Sequence, residues 1–211
     1  MTTVSIIGTG EMAVALSRLA IAAGHTVQLS SRDAEKARLL AERLGAGATT
    51  VAFGAAPEGE FLILAVPYSS VHDVLMQYGQ TLAHRILVDI TNPIKTDFSG
   101  FLTAEGSFGA LEIATAAPAS AVVVKAFNTQ FSGVLAAGAA AGNALDVFVA
   151  GDDTQAKARV SSFIESLGLR PFDVGPLLMA QTLEHVCMLT LGLMTHSIKH
   201  TNFSIGVDFP C

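Results

Sequence analysis

The fold is decided by the segment Val4-Ser5-Ile6-Ile7-Gly8-Thr9-Gly10-Glu11-Met12-Ala13. Its first four residues form a short run rich in β-branched side chains, which predicts a strand, and apolar residues at helical spacing follow from Glu11 to Ala23. Gly8 permits a tight turn between the two, Gly10 leaves the backbone open to close approach, and Ala13 lets the helix pack on the strand. This pattern is typical of a turn that holds the diphosphate of a dinucleotide at a helix N-terminus; a glycine turn without a ligand is the alternative.

Strand-like and helix-like segments alternate along the chain. Continuous apolar runs belong in a sheet covered on both faces, and their alternation with helices is typical of doubly wound proteins. We therefore predict a Rossmann-type α/β fold with a mainly parallel sheet in one domain, residues 1–211, in which 177–211 form a small helical extension that contributes to the substrate cleft or a dimer contact. The predicted strands are 4–7, 26–29, 60–66, 85–90, 121–126, 144–150 and 169–174, and the predicted helices are 11–23, 33–44, 153–167 and 176–198, with Gly192 a weak point in the last.

The composition excludes several classes of function. Hydrophobic residues make up 51% and charged residues 14% of the 211 residues, and the formal net charge is −6. Such a chain lacks the clustered cations that nucleic acids and anionic membranes require of a partner. No stretch of about 20 residues is apolar enough to span a bilayer, and no signal-peptide pattern precedes the first strand. We predict a cytoplasmic protein with neither a nucleic-acid nor a membrane partner.

The residues after the second predicted strand indicate which dinucleotide is bound. A site selective for NAD places Asp or Glu there, about 20 residues after the glycine turn, to bind the ribose 2′-hydroxyl. Here Ser31 and Arg32 stand in that place, with Lys36 one helical turn further on, and Thr9 can add a hydroxyl. Asp33 is expected to cap the next helix and so to turn away from the ligand. These groups favour a 2′-phosphate and hence NADP(H); an ordinary solvated face is the alternative for the two cations.

Further binding residues are expected where the central strands end, because ligands of open parallel sheets lie at the carboxyl ends of strands. Val66 and Pro67 would cover the ribose and nicotinamide side, and the segment 127–129 would form the floor for a second substrate. A structural turn is the alternative for Asn92-Pro93, and core packing is favoured for Phe127. The predicted cofactor-binding residues are Gly8, Thr9, Gly10, Glu11, Met12, Ala13, Ser31, Arg32, Lys36, Ala65, Val66, Pro67, Asn92, Pro93, Ala126, Phe127 and Asn128.

Other kinds of catalytic chemistry leave no pattern in the sequence. No Ser/His/Asp set and no paired carboxylates stand out, and His196 and His200 lack the glutamate of an H-E-x-x-H motif. Cys187 and Cys211 lack metal-ligand spacing, and Cys187 lies in an apolar run that favours a packed thiol. We predict no catalytic acid or base and no metal ion. Hydride transfer between two bound rings fits this pattern, because it needs mainly proximity, orientation and a dry pocket.

Several motifs occur together in the order known from one protein family. They are Gly8–Ala13, Ser31-Arg32 with Lys36, Val88–Pro93, Val123–Asn128, Val149–Asp153, and Leu169–Pro171 with Gly175–Leu177. In these the chain resembles the NADPH-dependent coenzyme F420 reductases, and it is similar to the NADPH domain of six-transmembrane metalloreductases. The resemblance implies a Rossmann domain, often dimeric, that passes hydride from NADPH to a flavin-like ring, with Thr9, Ser31, Arg32 and Lys36 around the 2′-phosphate.

The resemblance leaves the acceptor of the hydride open. Archaeal deazaflavin reductases carry a His-Thr pair where this chain has Asn128-Thr129, and the stretch 125–128 is closer to the metalloreductases. We expect an NADPH-dependent oxidoreductase whose small-molecule acceptor is coenzyme F420 or a flavin, FAD or FMN. An NADPH-dependent flavin or ferric reductase and a non-catalytic NADPH sensor are the alternatives. A homodimer is favoured, because the extension from Leu177 is apolar on more than one face.

Overall fold

The computed structural model describes residues 1–137 and 144–209, which contain a single mixed sheet. Its strands are β1 (Thr3–Ile7), β2 (Thr26–Ser30), β3 (Ala48–Thr50), β4 (Phe61–Leu64), β5 (Ile86–Asp89), β6 (Val122–Lys125), β7 (Asp146–Gly151) and β8 (Arg170–Gly175). They lie in the order β3-β2-β1-β4-β5-β6-β7-β8. The strands from β3 to β6 are mutually parallel, whereas β7 runs antiparallel to β6 and β8 runs parallel to β7.

Helices cover both faces of this sheet. They are α1 (Glu11–Ala22), α2 (Ala34–Leu44), α3 (Val71–Tyr78), α4 (Gly109–Ala116), α5 (Ser132–Ala137), α6 (Thr154–Ser166) and α7 (Met179–Leu193). Val4 and Ile6 of β1 join one core with α1, α2 and α6, while Ile7 joins a second core with α3, α4 and α7. Because successive side chains of a strand point to opposite faces, a strand covered on both faces is apolar throughout. The predicted Rossmann-type, doubly wound and mainly parallel fold is confirmed.

Four elements of the structure are absent from the sequence prediction. Strand β3 has three residues at the edge of the sheet, and α3 and α4 have eight residues each, fewer than a helical period needs to stand out. Helix α5 spans Ser132–Ala137, and the residues that follow it up to 143 lie outside the described part of the chain. An apolar run also carries no direction, so the reversal of β7 is not visible in the sequence.

The C-terminal segment is helical over only part of the range predicted for it. Helix α7 continues directly into a π-helical turn at Met194–Ile198, two residues after Gly192, and residues 199–209 have neither helix nor strand. Pro210 and Cys211 lie outside the described residues. None of the helices in the described ranges is both long enough and apolar enough to cross a membrane.

Candidate dinucleotide site and cleft

The glycine turn has the shape that a bound diphosphate requires. Gly8 has a φ of 121°, and a Cβ placed on it would lie 2.0 Å from the carbonyl oxygen of Ala65, so no other residue fits without a shift of backbone. Gly10 precedes α1, has no side-chain cap, and has open space around the position of a Cβ. The first N–H groups of α1 have no partner within the helix, so an anion can approach them here. Ala13, by contrast, is fully buried and lets α1 pack closely.

Eight of the predicted residues surround one cavity of about 220 Å³ at this turn, the glycine-loop cavity. They come from the ends of β1, β2 and β4, because the carboxyl ends of parallel strands meet at one edge of the sheet. No carboxylate lines this cavity, which suits a phosphate. Its predicted residues are Gly8, Thr9, Gly10, Ser31, Arg32, Ala65, Val66 and Pro67, and the others in its wall are Ile7, Phe53, Ser70 and Val74.

The polar groups after β2 lie in the wall of the glycine-loop cavity or beside it. Arg32 is exposed, with one guanidinium nitrogen 3.5 Å from Ser70 Oγ. Asp33 caps α2 by accepting the backbone N–H of Lys36 at 3.1 Å, and this hydrogen bond holds the pKa of Asp33 below its usual value. The predicted cap is thereby confirmed. Lys36 lies in the wall of an adjoining cavity of about 580 Å³, which shares Thr9 with the first, and its ammonium is 3.4 Å from Asp33 Oδ2.

A further cavity of about 560 Å³, the cleft cavity, lies between the ends of β5 and β6 and helix α7. Asn92 donates to the carbonyl oxygen of Asn128 at 2.8 Å, and Asn128 Nδ2 donates to Asn92 Oδ1 at 2.9 Å and to the carbonyl oxygen of Leu183 at 3.0 Å. These bonds fix the two strand ends to each other and to α7. The predicted residues in its wall are Met12, Asn92, Asn128 and Thr129, and the others are Ile94, Lys95, Thr96, Phe98, Gln130, Phe131, Ser132, Cys187, Thr190 and Leu191.

Some predicted binding residues lie outside both cavity walls. Ala126 and Phe127 are buried in the hydrophobic core, so the expectation that these two side chains line the cofactor site is corrected, and the core role favoured for Phe127 is confirmed. Phe127 has a φ of 61°, which turns the chain at the end of β6. Pro93 is buried as well. Glu11 is exposed and accepts a hydrogen bond from Ser132 Oγ at 3.0 Å.

The sequence analysis missed a buried ionic cluster beneath the cleft. Lys125 is fully buried, and its Nζ donates to Asp89 Oδ2 at 2.8 Å, to Glu184 Oε1 at 2.9 Å and to the carbonyl oxygen of Thr91 at 2.6 Å. Burial alone would lower the pKa of Lys125, but the two carboxylates outweigh burial and raise it. The chain therefore does hold two carboxylates close together, those of Asp89 and Glu184, although no such pair stood out in the sequence. The sequence does contain a signal for this cluster. Each of two apolar runs carries one charged residue, Asp89 at the end of β5 and Lys125 at the end of β6, and these two residues pair in register.

Glu184 also fixes a helix that the sequence pattern did not predict. Its carboxylate accepts the backbone N–H groups of Gly109 at 3.0 Å and Ala110 at 3.2 Å, which are the first two residues of α4. A carboxylate at a helix N-terminus satisfies N–H groups that the helix leaves unpaired. Phe108, which precedes α4, provides no side-chain cap, so the capping group comes from α7 instead.

Cys187 lies in the wall of the cleft cavity rather than in the core. Burial raises the pKa of its thiol to about 11, so the sulfur is protonated at neutral pH. Within the described ranges, no group of three or more His, Cys, Asp or Glu side chains is placed to hold a metal ion.

Residues 3–93 match the model of a protein family described as NADP oxidoreductase, coenzyme F420-dependent. The fold, the glycine turn and this match give residues 3–93 the features of an NADP-dependent oxidoreductase domain. The match confirms, over these residues, the resemblance seen in the motifs. The chain is also 30% identical over 183 residues to the metalloreductase STEAP3 of Rattus norvegicus, an alignment that covers 87% of this chain and 36% of that protein. It thus spans about a third of the length of this relative.

Two solved structures resemble the chain over most of their length. A protein of Arthrobacter sp. FB24, described as a candidate F420-dependent NADP reductase, superposes with a TM-score of 0.85 at 25% identity and covers 98% of this chain and 100% of its own. A hypothetical protein of Sinorhizobium meliloti gives a TM-score of 0.78 at 31% identity, with 86% and 88% covered. The chain therefore shares its fold with both over most of its length.

Proposed function

We propose that the chain is an NADPH-dependent oxidoreductase that exchanges hydride with a deazaflavin such as coenzyme F420, or with a flavin. The observation that carries this proposal is the glycine-loop cavity, which combines an open helix N-terminus with Ser31 and Arg32 and has no carboxylate in its wall. A 2′-phosphate is favoured there because Arg32 can donate several hydrogen bonds to it. A carboxylate in the same place would repel it. The preference for NADPH over NADH follows from this charge pattern.

The two cavities would bind different parts of the dinucleotide in such an enzyme. The glycine turn would hold the diphosphate, Val66 and Pro67 would cover the ribose, and Asn92 and Asn128 would border the nicotinamide end from the cleft cavity. Bound NADPH would supply a hydride from its dihydronicotinamide ring, and the acceptor would take up a proton from solvent with it. The side chains bind, orient and exclude water; none is assigned as acid or base.

A panel of acceptors tests the proposal. Coenzyme F420, FAD and FMN are each offered with NADPH and with NADH, and the oxidation of the nicotinamide is followed by its absorbance. We expect turnover with at least one acceptor, faster with NADPH. Binding of NADPH without turnover of any acceptor would favour the sensor instead, and equal use of NADH would contradict the assigned role of Arg32.

Ferric reduction through a free flavin is the second candidate. The similarity to the metalloreductase, which covers 87% of this chain, favours it. Adding a ferric chelate to the assay with NADPH and FMN, and in parallel to chemically reduced FMN without the protein, distinguishes the two. Iron reduction faster than the reaction of free reduced FMN supports the second candidate, and iron reduction that only follows the supply of reduced flavin supports the first.

We also propose that two copies of the chain associate through the outer face of α7. Leu178 and Leu189 are 62% and 57% exposed, and their spacing places them on one face of the helix. A second copy is the chosen partner, because a two-fold axis would bring this apolar face against itself. Light scattering should give twice the mass of the chain, and Leu189→Glu should halve it, whereas Met76→Glu on α3 should not. A monomer in light scattering of the unmodified chain would contradict the proposal.

The cytoplasmic location stays a prediction.

A further inference from the structure

The segment after α7 and its π-helical turn returns to the sheet past the wall of the cleft cavity. Lys199, with a φ of 64°, ends the helical part, and its N–H donates to the carbonyl oxygen of Met194 at 3.0 Å. The residues that follow have neither helix nor strand, yet they contact the rest of the fold in two separate places. Residues 199–207 are called the C-terminal strap below.

The first contact joins the strap to the cleft wall. The ring of Phe203 meets that of Phe131 edge to face, with the ring centres 5.4 Å apart, and the ring of His200 lies 6.4 Å from Phe203. Phe131 lines the cleft cavity, whereas Phe203 is not one of its described lining residues. An edge-to-face pair is stabilising beyond the apolar area that it buries. Phe203 therefore contacts the cleft wall from outside the cavity.

The second contact anchors the strap to a buried carboxylate. Asp146, at the start of β7, is 3% exposed and accepts the backbone N–H of Val207 through Oδ2. Arg170 Nη2 donates both to this oxygen at 3.0 Å and to the carbonyl oxygen of Val207 at 2.7 Å. A Cβ on Gly206 would lie 2.7 Å from Asp146 Oδ2, so a glycine permits the close approach. Charge-assisted hydrogen bonds of this kind are strong, and they fix the end of the strap.

Asp146 also connects this anchor to the cleft wall. Its carbonyl oxygen accepts the side-chain N–H of Gln130 at 2.7 Å, and Gln130 precedes Phe131 in the wall. The carbonyl oxygen of Phe131 in turn accepts the backbone N–H groups of Val134 and Leu135, both at 3.1 Å, at the start of α5. The strap and this part of the wall are therefore held by the same residue, and the place of Phe131 depends on both.

We propose that Phe203 is a positioning residue for the cleft cavity, which acts through Phe131 and is held in place by the anchor of the strap at Asp146. Loss of its ring removes a contact that fixes Phe131, so this part of the wall becomes free to move. The strap then sets how well the cleft holds an acceptor ring, and not how tightly the glycine-loop cavity holds NADPH. The statement about the acceptor rests on the proposed function, whereas the statement about the wall does not.

Hydrogen exchange in the full chain tests the effect on the wall. In Phe203→Ala, the two N–H groups that bond to the carbonyl oxygen of Phe131 should exchange about two- to ten-fold faster, the range for the loss of one aromatic pair. Phe203→Tyr keeps the ring and should restore slow exchange. The matched control is Phe209→Ala, because Phe209 lies beyond the strap and its ring packs on Phe172 instead.

Strand β4 is the internal reference for this measurement, because exchange in a central strand reports unfolding of the whole fold. An equal rise in β4 would assign Phe203 a merely structural role and overturn the proposal. Unchanged exchange at the start of α5 in Phe203→Ala, or the same rise in Phe209→Ala, would overturn it as well.

Gly206→Ala tests the anchor without changing the ring. Its Cβ would meet the carboxylate of Asp146, which Arg170 already holds, so the strap should be displaced. The same N–H groups at the start of α5 should then exchange faster, as in Phe203→Ala. Unchanged exchange would overturn the part of the proposal that assigns the anchor to Asp146.

Steady-state kinetics with NADPH test the effect on the acceptor. FMN is the probe, or coenzyme F420 if only that acceptor is turned over. Phe203→Ala should raise the KM for the probe about two- to ten-fold, with a smaller change in kcat, and should leave the Kd for NADPH unchanged. Phe203→Tyr should return the KM to that of the intact protein. A weaker Kd for NADPH with an unchanged KM for the probe would overturn the proposal. If no acceptor is turned over, the proposed function fails, and hydrogen exchange still decides whether Phe203 positions the wall.

Discussion

Lys125 Nζ lies 2.9 Å from Glu184 Oε1, and this contact joins the end of β6 to the middle of α7 in a place that water does not reach. Asp89 accepts from the same ammonium at 2.8 Å, so one cation faces two carboxylates. The cluster links three segments that border the cleft. Thr91 precedes Asn92, Lys125 ends β6, and Glu184 lies one turn before Cys187.

The charge count of this cluster predicts an order of stability for its variants. Lys125→Met leaves two carboxylates buried without a cation, which should cost about 3–5 kcal/mol in the free energy of unfolding. Glu184→Gln leaves one cation and one carboxylate and loses mainly hydrogen bonds to α4, which should cost about 1–3 kcal/mol. Urea unfolding of the three proteins measures both differences. A larger loss for Glu184→Gln than for Lys125→Met would contradict the charge argument.

The same cluster predicts a change of stability at alkaline pH. The pKa of Lys125 is raised above its ordinary 10.5, since its two acidic partners outweigh its burial. A raised pKa means that the folded state holds the proton more tightly, so the stabilisation is complete below about pH 10.5 and is lost as pH rises through the folded value. The difference in unfolding free energy between the intact protein and Lys125→Met should therefore stay constant up to that pH and shrink above it. A decrease that begins below pH 9 would be inconsistent with a raised pKa.

Much of the fold was predictable because its central strands are buried on both faces. A strand such as β4, Phe61–Leu64, is wholly apolar and is bounded by turn residues. The glycine turn was equally clear, since Gly8 and Gly10 meet steric requirements that few other residues can meet. Helix α4 was not predictable, because its capping group is Glu184, which stands 75 residues further along the chain from Gly109.

The candidate site was predictable in its phosphate end and much less so in its cleft. Arg32 lies where the strand order and the glycine turn require it. Lys95 and Gln130 reach the cleft cavity through a loop and a chain reversal that leave no periodic pattern. Ala126 was misassigned because adjacency to a strand end does not reveal on which side of the backbone a side chain lies, and here it lies in the core.

The two glycines of the turn should respond differently to alanine. Gly8→Ala places a Cβ against the carbonyl oxygen of Ala65 at a positive φ, so it should destabilise the fold by at least about 1–3 kcal/mol. Gly10→Ala meets no atom and has a φ of −74°, so it should cost less than about 1 kcal/mol. It should nevertheless weaken NADPH binding, because the methyl group occupies the space where the diphosphate approaches. Thermal unfolding and NADPH fluorescence measure the two effects, and unchanged binding in Gly10→Ala would remove the turn from the proposed site.

Arg32→Ala should weaken the binding of NADPH but not that of NADH. Loss of a charged hydrogen bond to the 2′-phosphate should raise the Kd for NADPH about 10- to 100-fold and leave the Kd for NADH unchanged, because NADH has no phosphate there. Titration calorimetry measures both values. Arg18→Ala, an exposed position outside the cavities, is the matched control for the loss of one positive charge. An equal loss of affinity for both dinucleotides would place Arg32 against the adenosine rather than the phosphate.

Cys187 should report on the cleft through its rate of alkylation. Because burial raises its pKa from 9.0 to about 11, its thiolate fraction at pH 8 is about a hundred-fold below that of a free cysteine. In a Cys211→Ser background, the rate with iodoacetamide should therefore rise about ten-fold per pH unit up to pH 10, whereas the same protein in urea should level off near pH 9. Since the sulfur lies in the cavity wall, saturating FMN should slow the reaction further. A plateau near pH 9 in the folded protein would contradict the raised pKa of the thiol. No protection by FMN, when FMN is turned over, would show that Cys187 does not border the acceptor.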